Sequence, residues 1–101
     1  VSARTRLVTD AEALNEILHR YAAIDRRGYI QLAMDALLRV VDDVLAVDRD
    51  SMERAKQLVL QYPTLPVRVA LHSAVMQQHG IDTLLSFDTA FERVPGLVRL
   101  R

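Results

Sequence analysis

Short apolar runs alternate along the chain with longer segments whose apolar residues follow a helical spacing. The runs "RLVTD" (6–10), "VLAV" (44–47), "TLLSF" (83–87) and "LVRL" (97–100) predict strands. Because helical segments separate these strands, the pattern favours parallel pairing. The fold class predicted from the pattern is therefore α/β, with helices packed against a short parallel sheet.

The first half of the chain carries two amphipathic helical patterns. Thr9 and Glu12 have the spacing of a capping box, which predicts the first helix start, and Gly28 predicts its end. A second helix is predicted from about Tyr29 to Asp43. The apolar stripes of the two helices are formed by Leu14, Ile17, Leu18 and Tyr21, and by Ile30, Ala33, Met34, Leu37, Leu38 and Val41.

Two further helices are predicted in the second half. The third opens at Asp50 or Ser51, with Glu53 in position for a capping box from Asp50, and ends near Tyr62. The fourth runs from Pro66 to Gly80, and the segment "DTAFER" (88–93) predicts a turn or a single helical turn.

The fourth helix, which begins "PVRVALH" (66–72), has an unusual first turn. No acid or hydroxyl residue caps it, and its only charge, Arg68, is a cation beside the positive end of the helix dipole. On a helical projection an apolar stripe is formed by Val67, Ala70, Leu71, Ala74 and Val75. Val69 lies nearly opposite this stripe. We favour a second buried surface around Val69 over a contact face or a site that has lost its polar group.

Composition narrows the class of protein. The 101 residues suit one domain (1–101), half of them are hydrophobic, and no cysteine is present, which suits a reducing cytoplasm. No apolar run has the length of a membrane span, so we expect no membrane partner. Thirteen basic and thirteen acidic residues cancel, which argues against nucleic-acid binding by bulk charge. Lys56 is the one lysine; the other cations are arginines.

Candidate chemistry lies where helices follow predicted strands, which are the positions Thr9, Asp10, Glu12 and Glu16 after the first strand and Asp88, with Thr89, after "TLLSF". Asp88 follows the "TLLSF" strand, where it serves either as a cap for the next turn or as a catalytic acid, and the cap is favoured. Glu16 lies opposite the apolar stripe of its helix and is either a surface acid paired with Arg20 or a metal ligand. His19, His72 and His79 have no metal-binding spacing.

Two segments resemble the PIN-domain ribonucleases, specifically the VapC toxins of bacterial toxin–antitoxin pairs. They are "LVTDAEALNEILHRY" (7–21) and "ALHSAVMQQHGIDTLLSFDTAFERVPGL" (70–97). The resemblance implies a PIN-like α/β/α sandwich and an endoribonuclease that uses Mg²⁺ or Mn²⁺. It also implies an RNA substrate and a cognate antitoxin that neutralises the toxin. Acidic side chains would hold the metal, since Mg²⁺ prefers oxygen ligands.

The resemblance assigns two of the four acids of such a site. Glu16 matches the acid of the "NEIL" helix, and Asp88 matches the acid that closes the penultimate strand. Val69 takes the place of the central acid in a pattern like "ARDALH". No residue of the segment 1–6 matches the first acid, which belongs to an N-terminal strand. We therefore predict an incomplete domain that lacks its first strand and cleaves RNA weakly or not at all.

Three hypotheses follow. The first is a VapC-like ribonuclease, truncated and inactivated, and the second is a non-catalytic interaction module of the same ancestry. The third is a small α/β protein whose acids are only caps and surface pairs. Because a missing strand leaves sheet edges and apolar helix faces uncovered, we also expect a homodimer.

Overall fold

The computed structural model describes residues 5–100. The chain divides into two compact units, Val1–Ala46 and Val47–Arg101. We predicted that the segment 1–6 contains no match for the first acid. Residues 1–4 of this segment lie outside the described residues.

The first unit contains two short strands, which pair with each other, and two helices that lie between them in the chain. Its elements are β1 (Val8–Asp10), α1 (Ala11–Ala23), a 3₁₀ turn (Arg27–Tyr29), α2 (Ile30–Val40) and β2 (Asp43–Leu45). The strands β1 and β2 are parallel, as predicted, with Thr9 opposite Val44. The pairing extends by one residue, because Asp42 donates its backbone N–H to the carbonyl of Leu7 at 2.6 Å.

The helix boundaries of this unit differ from the sequence prediction. The N-cap of α1 is Asp10, not Thr9, and its carboxylate accepts a hydrogen bond from the N–H of Ala13 at 2.9 Å. The chain reverses at Asp25, with φ of +57°, rather than at Gly28. A short polar side chain tolerates this left-handed conformation, so no glycine is required. The helix α2 ends at Val40, three residues before the predicted end at Asp43.

The second unit contains the hydrophobic core. Its elements are α3 (Arg49–Gln61), α4 (Val67–Gln78), β3 (Thr83–Leu85), a 3₁₀ turn (Thr89–Arg93) and β4 (Val98–Leu100). The strands β3 and β4 are parallel, and Leu85 lies opposite Leu100. The buried core residues are Ala55, Leu58, Leu65, Val69, Ala70, Leu71, Ala74, Ala90, Phe91 and Val94. Parallel strands separated by helices confirm the α/β class in both units.

The helix α3 begins earlier than predicted. Its N-cap is Asp48, which forms a capping box with Ser51, so neither Asp50 nor Glu53 takes part. The Asp48 carboxylate also accepts two hydrogen bonds from Nε2 of Gln78, both at 3.0 Å. Since Gln78 is the last residue of α4, these bonds join the start of α3 to the end of α4.

The helix α4 is buried on most of its circumference. Both Val69 and Ser73, on the face predicted to be polar, are fully buried, which confirms the interpretation of a second buried surface. Val67 is exposed, contrary to its predicted place in the apolar stripe. The helix ends two residues before Gly80, whose φ of +67° closes it. Within residues 5–100, the helices are all too short or too polar to span a bilayer.

Candidate active site

Asp88 lies three residues beyond the end of β3, at the start of the 3₁₀ turn. Its Oδ1 accepts a hydrogen bond from the backbone N–H of Ala90 at 2.9 Å, which makes it the N-cap of that turn. The capping role predicted from the sequence is therefore confirmed. A catalytic role for Asp88 stays a prediction.

The second carboxylate oxygen of Asp88 contacts Arg68, in the first turn of α4. The distance from Arg68 Nη1 to Asp88 Oδ2 is 2.6 Å, a short charge-assisted hydrogen bond. This contact explains the unusual helix start. The first turn of α4 contains no acid of its own, and Asp88, in the loop after β3, supplies the negative charge. The uncompensated charge of Arg68 is visible in the sequence, but its partner lies 20 residues further along the chain and shares no motif with it.

The electrostatics of this pair favour the ionised carboxylate. The N–H of Ala90 and then the guanidinium of Arg68 lower the pKa of Asp88 below its ordinary value, against an opposing effect of burial. The positive charge of Arg93 lowers it further. The lowered pKa keeps Asp88 ionised at neutral pH.

The segment from Ser86 to Asp88 is held on both sides of Phe87. The hydroxyl of Ser86 accepts a hydrogen bond from the N–H of Asp88 at 3.0 Å. Arg99, whose side chain is buried, donates Nη1 to the carbonyl of Ser86 at 2.9 Å. The same guanidinium donates to Glu92 Oε1 at 2.9 Å from Nη2. The role of Arg99 is not predictable from the sequence, because a lone arginine in a strand pattern carries no motif.

Val69 stands where the resemblance places an acid. Its side chain is fully buried among the apolar residues of the second unit's core and offers no ligand atom. One helical turn further on, the hydroxyl of Ser73 is buried and has no hydrogen-bond partner among residues 5–100. A buried hydroxyl without a partner destabilises the folded state, so this part of α4 is not optimised for stability.

Glu16 belongs to the first unit, on α1, where it is half-buried rather than fully exposed. Its predicted ion pair with Arg20 stays a prediction. Of the histidines, His19 and His79 are exposed, whereas His72 lies against Phe91 with ring centroids 6.2 Å apart.

The donor set around Asp88 does not fit a divalent cation. Both oxygens of Asp88 are already hydrogen-bonded, one of them to a cation, and position 69 is apolar. In the part of the chain that the structure describes, no three His, Cys, Asp or Glu side chains are grouped as metal ligands. A hard cation such as Mg²⁺ requires several oxygen ligands.

Comparison with known proteins identifies relatives along nearly the whole chain. The profile of the PIN domain matches residues 1–97. The chain is 53% identical over 100 residues to "VapC ribonuclease Mb1869c" of Mycobacterium bovis and to "Ribonuclease VapC13" of Mycobacterium tuberculosis. These alignments cover 99% of this chain and 76% of each relative. "Ribonuclease VapC23" of M. tuberculosis is 32% identical over 83 residues, which are 82% of this chain and 65% of the relative. No solved structure gives a significant match.

Proposed function

This chain belongs to the PIN-domain family, among its VapC toxins, and from this premise we propose that it acts on RNA with weak or no cleavage activity. Its relatives are named ribonucleases, and their similarity extends over both units of the chain. In this proposal, Glu16 and Asp88 are the acids retained from the family's site.

The observation that carries this proposal is the burial of Val69. A fully buried valine at the position of a central acid removes a carboxylate from the site, and no described side chain replaces it. PIN-domain VapC ribonucleases are generally metal-dependent. Since the residues around Asp88 do not fit a metal ion, we derive no metal-assisted step for this chain. Without charge stabilisation at the phosphoryl group, hydrolysis of the RNA backbone is slow.

Restoring the acid tests the proposal. Purified wild-type chain, Val69→Asp and Val69→Asn are each incubated with labelled single-stranded RNA and Mn²⁺. We expect little or no cleavage by the wild type, cleavage by Val69→Asp, and none by Val69→Asn, which has the same size without the charge. Far-UV circular dichroism of each variant checks folding, because a buried carboxylate destabilises the folded state. Efficient metal-dependent cleavage that copurifies with the wild type would contradict the proposal.

The Arg68–Asp88 pair favours a second candidate function, a non-catalytic binding module. Arg68 already neutralises Asp88, the retained acid. In this hypothesis the fold and its binding surfaces are kept, whereas the ability to cleave RNA is lost. If folded Val69→Asp fails to cleave RNA while a small antitoxin copurifies with the wild type, the module is the better description.

The proposed protein partners are a cognate antitoxin and a second copy of the chain. The first unit supports association, since no residue of its two helices is buried in the chain and several large apolar side chains are exposed. They include Leu18, Leu32, Leu38 and Val40. Light scattering on the purified protein is expected to give a dimer, and a stable monomer contradicts this. The lack of cysteine suits action in a reducing cytoplasm.

A further inference from the structure

Arg99 occupies the buried position of β4. Its side chain is only 5% exposed, whereas its apolar neighbours Val98 and Leu100 are half-exposed. The residue opposite it on β3 is Leu84, which packs against the core of the second unit. The usual alternation of a half-buried strand is therefore inverted, with the charge inside and the apolar side chains outside. A buried cation destabilises the folded state unless it is paired and hydrogen-bonded, so its partners indicate what it does.

The guanidinium of Arg99 donates to both ends of one loop, residues 86–92. Its Nη1 donates to the carbonyl of Ser86 at 2.9 Å, where the chain leaves β3. Its Nε and Nη2 both donate to Oε1 of Glu92, at 3.2 and 2.9 Å. Because the donors of a guanidinium form a rigid planar fork, a single side chain fixes the two ends of the loop relative to each other.

Asp88 lies inside this loop and depends on both of its ends. Its N–H donates to the hydroxyl of Ser86 at 3.0 Å, and its carbonyl accepts from the N–H of Phe91 at 3.4 Å. Its carboxylate contacts Ala90 through one oxygen and Arg68 through the other. A displacement of either end of the loop therefore moves the carboxylate away from these partners.

We propose that Arg99 is a positioning residue for Asp88: together with Glu92 it fixes the loop 86–92 and thereby determines where the Asp88 carboxylate lies. This inference rests on the proposed function, in which Asp88 is a retained acid of the site. Arg99 is too buried to contact a substrate, so its effect is transmitted through Ser86 and Glu92. The need to hold this loop explains why β4 contains a buried cation.

The competing explanation is that Arg99 only stabilises the second unit. The two roles differ in which part of the protein opens when the guanidinium is removed. A general stabilising contact protects the whole unit, whereas a positioning contact protects the loop first. Glu92 favours the positioning role, because it belongs to the loop and 58% of its side chain is exposed. An ion pair with an exposed partner contributes little to global stability.

The first experiment follows the amide proton of Ala90 by NMR, because this N–H donates to the carboxylate of Asp88 at 2.9 Å. Arg99→Met removes the guanidinium and keeps an unbranched apolar side chain. We expect the Ala90 amide to exchange with solvent roughly 2- to 12-fold faster, the range for the loss of one hydrogen bond. Its chemical shift should move toward the value in Asp88→Ala. The amide of Ala74, in the core of α4, should accelerate by a much smaller factor.

Two milder variants test the contact between Arg99 and Glu92. Glu92→Gln keeps an acceptor and loses the charge, so it should accelerate exchange at Ala90 less than Arg99→Met does. Arg99→Lys keeps the charge without the planar fork and should restore only part of the protection. The control is Arg54→Met, which removes an exposed arginine on α3 and should leave Ala90 unchanged. If Arg99→Met does not fold, Glu92→Gln decides the question, since it alters a half-exposed side chain.

Two results would overturn the positioning role. One is an unchanged exchange rate and chemical shift at Ala90 in both Arg99→Met and Glu92→Gln. The other is an equal acceleration at Ala90 and Ala74, because Arg99 then stabilises the whole unit and not the loop in particular.

A cleavage assay with Val69→Asp as the parent separates this inference from the proposed function. Adding Arg99→Lys should lower kcat several-fold and leave KM nearly unchanged, since the buried guanidinium binds no RNA. If Val69→Asp cuts nothing while the Ala90 amide responds as expected, Arg99 positions Asp88 and the proposed function fails. If Val69→Asp cleaves RNA and adding Arg99→Lys changes neither kcat nor the Ala90 amide, the proposed function stands and the positioning role does not.

Discussion

The guanidinium of Arg68 contacts the carboxylate of Asp88 across 2.6 Å, joining the first turn of α4 to the N-cap of the 3₁₀ turn. Each residue compensates for a weakness of the other's element. Arg68 lies at the positive end of α4, where a cation is unfavourable, and Asp88 supplies the opposite charge. Asp88 in turn caps a turn of only five residues, and the guanidinium holds its side chain in position.

Substitution of Asp88 is expected to separate its two contacts. Asp88→Ala removes both the cap and the ion pair and should lower the free energy of unfolding by about 1–2 kcal/mol in urea titrations. Asp88→Asn retains a capping oxygen and loses only the charge, so its loss should be about 0.5–1 kcal/mol. Equal losses in the two variants would show that the cap contributes nothing.

Stability should fall in acid because two carboxylates have lowered pKa values in the folded protein. The N–H of Ser51 and then the amide of Gln78 lower the pKa of Asp48, as Ala90 and Arg68 lower that of Asp88. A carboxylate whose pKa is lowered by folding stabilises the folded state at pH values above its ordinary pKa of 3.8. This contribution is lost as the pH falls through the folded-state pKa.

The measurement for this pH dependence is the urea midpoint between about pH 7 and about pH 2.5. The double variant Asp48→Asn, Asp88→Asn should lose less stability over the acid part of that range than the wild type does. Identical pH profiles for the two proteins would contradict the assignment to these carboxylates.

Two fully buried serines should respond in opposite directions to alanine. Ser73 has no hydrogen-bond partner among the described residues, so Ser73→Ala removes an unsatisfied hydroxyl and should stabilise the protein by about 1 kcal/mol. Ser51 accepts from the N–H of Asp48 at 2.7 Å, so Ser51→Ala leaves that N–H unsatisfied and should destabilise by about 1–2 kcal/mol. The measurement is the thermal unfolding midpoint of each variant beside that of the wild type. A lower midpoint for Ser73→Ala would contradict the prediction.

The Gln78–Asp48 contact should tolerate no second negative charge. Gln78→Glu places a carboxylate against Asp48, where Gln78 now donates two hydrogen bonds. At neutral pH this variant should melt at a lower temperature than Gln78→Ala, because like charges repel. Below about pH 4, protonation of the new acid should close most of that difference. A difference that does not change with pH would mean that packing, not charge, is lost.

Local spacing was sufficient to predict the elements. The period of the apolar residues located the four helices and the short strands, because helix and strand formation depend on neighbours within a few residues. The alternation of helices and strands along the chain predicted parallel pairing. Caps were less predictable. Thr9 and Glu12 match a capping box by sequence, yet Asp10 caps α1, since any nearby polar side chain competes for the same N–H groups.

The family was also determined by the sequence, because the pattern around Asp88 and the helix containing Glu16 are continuous segments. The site was determined only in part. The sequence indicated that Val69 was out of place, and the structure decided that it is a core residue. The partner of Arg68, the support of Phe87 by Arg99 and the unsatisfied hydroxyl of Ser73 were decided by tertiary structure alone. These contacts join residues that chain folding brings together, and no local periodicity encodes such distances.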